Sequence, residues 1–103
     1  MIIYISGPIS NSKGCEITFG GAEKYLRERG DDPINPYKIP KPKKSNDHWH
    51  YYMREAVKLL ATADQIYMLD GWEDSKGATI EHRLAAELNI PIVYAKDSYY
   101  YAQ

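Results

Sequence analysis

The sequence predicts a single α/β domain, a three-layer sandwich in which helices cover both faces of a four-stranded, mainly parallel sheet. Three observations predict it. Four short apolar stretches alternate with three segments of helical period. The order strand–helix–strand–helix–strand–helix–strand is that of parallel strands joined by crossover helices. The 103 residues fit one domain, 1–103, and leave no room for a second.

Ile2-Ile3-Tyr4-Ile5 is apolar and β-branched and stops at Ser6-Gly7-Pro8, as a buried strand does. Residues 9–15 are polar and read as a loop. From about Glu16 to Arg29, Phe19, Ala22 and Leu26 recur at three- and four-residue spacing until Gly30, giving a helix weakened by Gly20 and Gly21. Pro33-Ile34-Asn35-Pro36 reads as a short second strand. Residues 37–46, with four lysines and two prolines, have neither period and read as a loop. Over residues 47–63, Trp49, Tyr52, Met53, Ala56, Leu59, Leu60 and Ala63 follow one helical face, with Asn46 or Asp47 as N-cap. Gln65–Leu69 is the third strand and Asp70–Lys76 a polar loop. Ile80, Leu84 and Leu88 mark a third helix closed by Asn89, and Ile92–Ala95 is the fourth strand. The expected strand order is 2-1-3-4, a Rossmann- or flavodoxin-like layout, with room for a fifth element from the tail 98–103.

Ligands of such sheets bind outside the carboxyl ends of the strands. That rule selects Ser6–Ser10, Asn35–Tyr37 and Asp70–Gly77 and assigns Asp64, which precedes a strand, a structural role at the opposite edge. Bulk properties narrow the partners. A formal net charge of -1 gives no basic field for a nucleic-acid polymer. No apolar run approaches membrane-spanning length, and the apolar start is too short for a signal peptide. A lone Cys15 forms no internal disulfide, so a cytoplasmic protein is expected. The ten tyrosines against one phenylalanine suit half-buried or interface positions.

The stretch from Asp70 to Ala78 runs from a strand end into a helix start, where free N–H groups suit an anion such as phosphate. Ser75 and Gly77 would let a phosphate approach, Trp72 could stack on a base or shield the pocket, and Glu81 lies one turn beyond Gly77. On residue type alone, a capped helix with solvated acids is the stronger reading. Gly7 permits a sharp turn and close ligand approach, but its loop lacks the spacing of a dinucleotide or P-loop motif, and no cofactor is expected. His48 and His50 have no cluster to complete a metal set, so they read as a surface pair. Cys15 has no identifiable base and reads as incidental.

Ile3-Tyr-Ile-Ser-Gly-Pro-Ile9, Ile34-Asn-Pro36, Trp49…Tyr52-Met-Arg54, Ala63-Asp64…Leu69 and Gly71-Trp-Glu-Asp-Ser-Lys-Gly-Ala…Glu81 stand in an order and spacing that resembles the nucleoside 2-deoxyribosyltransferase superfamily. The resemblance is strongest to its small phage and bacterial members, related to the 2'-deoxynucleoside 5'-monophosphate N-glycosidases. It implies cleavage or transfer of an N-glycosidic bond, with Glu81 as the nucleophile forming a covalent deoxyribosyl intermediate. It further implies that Tyr4 and Gly7 line a sugar pocket and that Ser75 contacts a phosphate, and the strand-end loops add Pro8, Ile9, Asn35, Asp70, Trp72 and Gly77 as candidate substrate-binding residues. An aspartate expected on the long helix is replaced by Ala56, and Glu55 points about 100° away from that position. Asp47 or Asp70 are the available stand-ins. Two functions therefore follow: an active glycosidase or transferase, and a nucleotide-binding module that kept the pocket and lost the chemistry. A third reading is a pure interaction protein acting through the tyrosine-rich tail.

The same resemblance implies at least a dimer, with a partner segment closing each pocket and the helix 47–63 as the contact. Light scattering at micromolar concentration should give a dimer mass or higher; a monomer mass would contradict it.

Overall fold

The computed structural model describes residues 1–9, 13–40 and 48–97. The tail expected to add a fifth element, and the N-cap expected at Asn46 or Asp47, lie outside them. Four strands, β1 (Ile2–Ser6), β2 (Asp32–Ile34), β3 (Gln65–Met68) and β4 (Ile92–Tyr94), form one sheet in the order β2-β1-β3-β4. All three pairings are parallel, so the α/β sandwich expected from the sequence is the observed one. The helices are α1 (Lys13–Glu28), α2 (His48–Ala61) and α3 (Lys76–Glu87).

Strand alternation sorts the core into two layers. Ile3 and Ile5 of β1 and Tyr67 and Leu69 at β3 face one side, where Phe19, Ala22 and Leu26 of α1 cover them. Tyr4, Ile66 and Met68 face the other, packed with Ala56 and Leu60 of α2 and Ala78 and Ala85 of α3. Burying these side chains contributes roughly 1.5–3 kcal/mol for each large one, the main source of stability in a chain this short. The strands β1 and β3 are neighbours whose following helices lie on opposite faces, which leaves a crevice at their carboxyl ends.

Several boundaries differ from the sequence expectation. Helix α1 begins at Lys13 rather than Glu16, so Cys15 lies in a helix and not a loop. Its first turn contains Gly14, whose carbonyl accepts from Thr18 Oγ1 at 2.8 Å, and carries no apolar period to announce it. Strand β2 stops at Ile34. Asn35 then caps a 3₁₀ turn, Pro36–Lys38, by accepting from the Tyr37 N–H at 3.0 Å, and Pro36 starts that turn without a missing donor. A second 3₁₀ turn, Trp72–Asp74, occupies the expected loop after β3, and a third, Ala95–Asp97, follows β4. Helix α2 ends at Ala61, where Thr62 turns its hydroxyl back to the Leu59 carbonyl. Leu88 caps α3, and Asn89 follows in the left-handed region at φ 56°, which asparagine tolerates. Gly30, at φ 89°, ends α1 as expected. Asp64 accepts the Ile2 N–H at 2.8 Å, joining the amino ends of β1 and β3 on the edge away from the crevice.

Two glycines should respond oppositely to a methyl group. A Cβ on Gly7 would meet Leu69 Cβ at 2.8 Å, whereas Gly20 is exposed on α1 with no atom within 4 Å. In urea unfolding, Gly7→Ala should lose about 1–3 kcal/mol and Gly20→Ala should gain roughly 0.5–1 kcal/mol.

Candidate functional site

Helix α3 turns Ala78, Glu81 and Ala85 toward the sheet, at helical spacing three and four apart. The two alanines let the helix sit close, and the longer acid between them reaches β1. Ser75 fixes the start of the helix: its hydroxyl accepts the Ala78 N–H at 3.2 Å. A Cβ on Gly77 would meet Met53 Sδ at 3.0 Å, so the glycine also permits the close contact between α3 and α2.

Glu81 is 2 % exposed, and Tyr4 and Ser6 are fully buried. Tyr4 and Ser6, two residues apart on β1, point to the same face. The Tyr4 hydroxyl donates to Glu81 Oε2, and the Ser6 hydroxyl donates to Oε1 at 2.7 Å. Both carboxyl oxygens are thus engaged by hydroxyls. Burial raises the carboxyl from its ordinary 4.5 to about 7, and the two hydroxyl bonds oppose that rise without cancelling it. Burial, followed by the charge of Glu81, pushes the Tyr4 phenol far above its ordinary range and keeps it a donor. Tyr52 of α2 lies within hydrogen-bonding reach of the Tyr4 hydroxyl.

In front of Glu81 opens a cavity of about 390 Å³, within the range of small-molecule sites. Gly7 and Ile9 line it after β1, Tyr37, Ile39 and Pro40 after β2, and Ser75, Gly77 and Ala78 after β3. The start of α2 closes the far wall with His48, Trp49, Tyr51 and Tyr52. Lys76 lies over the Trp49 ring at 4.2 Å and links the first turns of α2 and α3.

Of the residues singled out from the sequence, Gly7, Ile9, Ser75, Gly77 and Glu81 meet at this cavity, and Tyr4 stands behind Glu81. Four others are placed elsewhere. Trp72 is not among the residues that line the cavity: it stacks on His82 at 4.2 Å and 11°, beside Tyr94, whose hydroxyl bonds His82 Nε2 at 2.8 Å. Asp70 lies with Trp72 and Lys96 in a separate small depression at the ends of β3 and β4. Asn35 spends its amide on Glu23 and its carbonyl on the turn that presents Tyr37. Pro8 is exposed beside Gly71. Asp47 lies outside the described residues.

The sequence selected Ser6 only as part of the strand-end stretch Ser6–Ser10, and strand alternation from Tyr4 gives it the role of second donor to Glu81. His48 is exposed, as the surface reading expected, and it also borders the cavity. Ala56 is fully buried in the core against Tyr4, so that position carries no acid, and Glu81 is the only carboxylate lining the cavity among the described residues. Within the same limits, no three His, Cys, Asp or Glu side chains gather as a metal site requires. No described helix is long and apolar enough to cross a membrane.

A family model described as a domain of unknown function, DUF4406, matches residues 1–94. No curated protein matches the chain. A solved structure of a 2-deoxyribosyltransferase from the psychrotolerant bacterium Bacillus psychrosaccharolyticus is similar, with a TM-score of 0.73 and 20% identity. The match covers 91% of this chain and 71% of that one. At that identity the likeness speaks for a shared fold.

The raised Glu81 carboxyl makes stability depend on pH. The folded chain binds the Glu81 proton more tightly than the unfolded chain does, so the contribution is full below about 4.5 and is lost as pH rises to about 7. The span corresponds to on the order of 3 kcal/mol. Glu81→Gln keeps a neutral hydrogen-bonding group and should flatten that part of the urea-derived stability profile. An unchanged slope in the variant would remove Glu81 as its source.

Proposed function

The chain belongs to the DUF4406 family, a domain of unknown function, and we propose that it acts on the N-glycosidic bond of a deoxynucleoside or its 5'-monophosphate, with Glu81 as the nucleophile. One observation carries the reading: a buried carboxyl, its two oxygens held by Tyr4 and Ser6, heads an aromatic-walled cavity at the carboxyl ends of a parallel sheet. The fold shared with a solved 2-deoxyribosyltransferase supports it.

In this reading Tyr37, Trp49 and Tyr51 provide flat surfaces for a base. Gly7, Ile9, Ser75 and Gly77 border the sugar, and the first turn of α3 offers N–H groups to a 5'-phosphate. A Glu81 oxygen attacks C1′ as the C1′–N bond breaks, giving a glycosyl ester that water or a second base resolves with net retention. The two hydroxyls fix the carboxylate's direction. A homodimer acting in the cytoplasm on a small molecule, without cofactor or membrane, completes the proposal.

The buried Ala56 favours a second reading, a nucleotide-binding module that keeps the cavity without the chemistry. Incubating the protein with the four deoxynucleosides and their monophosphates separates the two. The enzyme should release free base at a rate that changes across pH about 7, as Glu81 titrates. Glu81→Ala should lose at least about 10³-fold of that rate while the fold is kept. Calorimetric binding without base release from wild type would establish the binding module instead.

A further inference from the structure

We propose that Tyr4 and Tyr52 form a two-hydroxyl relay that carries the Glu81 carboxyl proton to the departing base. The inference rests on the glycosidic reading of the same site and adds the source of the leaving group's proton.

The path is continuous from the buried acid to the open cavity. Glu81 Oε2 meets the Tyr4 hydroxyl. Tyr4 is fully buried and does not line the cavity, so it cannot touch a substrate itself. Its other hydrogen-bonding neighbour is Tyr52, which does line the cavity. Tyr52 and Ala56 lie four apart on α2, one turn from each other on the same face. The α2 face that buries a methyl at 56 therefore presents a phenol one turn earlier, between Tyr4 and the cavity. Among the described lining residues no second carboxylate competes for the role.

The relay solves a problem that a single buried acid creates. A carboxyl with a pKa of about 7 holds its proton in a large share of molecules near neutrality, and a protonated oxygen is a poor nucleophile. A departing base needs a proton. In the proposed step one Glu81 oxygen forms the C1′–O bond, and the C1′–N electron pair stays with the base. With the proton on Oε2 the hydrogen bond to Tyr4 runs in the reverse sense: the carboxyl proton passes to the Tyr4 oxygen, the Tyr4 proton to the Tyr52 oxygen, and the Tyr52 proton to the base nitrogen. Both tyrosines end neutral. When water later cleaves the ester, its displaced proton runs the path backward and restores the carboxylic acid. Activation of the nucleophile and protonation of the leaving group become one event, and phenolate is never required as a stable species, in keeping with how strongly burial disfavours it at Tyr4.

The test compares two leaving groups in wild type and in Tyr52→Phe, which deletes one oxygen from a half-buried ring. Natural deoxynucleosides need a proton on the leaving base. A deoxynucleoside of N7-methylated guanine already carries a positive charge and departs without one. Tyr52→Phe should slow base release from the natural substrates by about a hundredfold and slow the methylated substrate far less, at an unchanged melting temperature. If the variant slows both substrates equally, or neither, the relay is wrong while Glu81 catalysis stands. If wild type cleaves neither substrate above the uncatalysed rate, the glycosidic reading falls and the relay falls with it.

Discussion

A carboxyl group buried between a helix and a sheet must find donors there or give up its charge, and the placement of Glu81 organises much of this molecule around that requirement. Its oxygens are met by Tyr4 and Ser6, so β1 has to run through the centre of the sheet with those two residues on the α3 side. The alternation that points them there sends Ile3 and Ile5 into the opposite layer, under α1. Small residues on α3, Ala78 and Ala85, set the distance at which a glutamate can reach across. Gly77 then admits Met53, which brings the start of α2 near the same place. The acid is retained at a cost in stability that grows toward neutral pH, and the surrounding apolar layers are what offset it.

Most of the fold was legible because period and punctuation agreed. Phe19, Ala22 and Leu26 mark one helix, the face through Met53, Ala56 and Leu60 marks another, and the β-branched runs between them can only be strands. The strand order followed from chain order and crossover rules, not from any residue. What escaped were short turns and helix ends. The Pro36–Lys38 turn depends on Asn35 meeting a backbone N–H two residues on, a contact that composition does not announce. The first turn of α1 has a glycine and polar residues, so its periodic signal starts late.

The site divided along a similar line. Residues fixed by a strand end or a helix register, Gly7, Ser75, Gly77 and Glu81, were legible because secondary structure alone places them. Residues whose direction depends on a turn were not. Trp72 sits in the 3₁₀ turn after β3, and that turn aims its ring at His82 rather than at the cavity. The aromatic wall from α2 required knowing that the first turns of α2 and α3 converge, which is a tertiary fact that Gly77 and Lys76 make possible.

The outer strands of the sheet have a further consequence. Both β2 and β4 are three residues long, and β2 has Pro33 at its centre, where no N–H exists to offer an incoming strand. Edge-to-edge joining of two sheets through β2 therefore has little backbone to work with, and a continuous intermolecular sheet is a poor way for this chain to self-associate. A contact between copies, were one to form, would have to use helix faces, where side chains, unlike main-chain amides, can discriminate one partner from another.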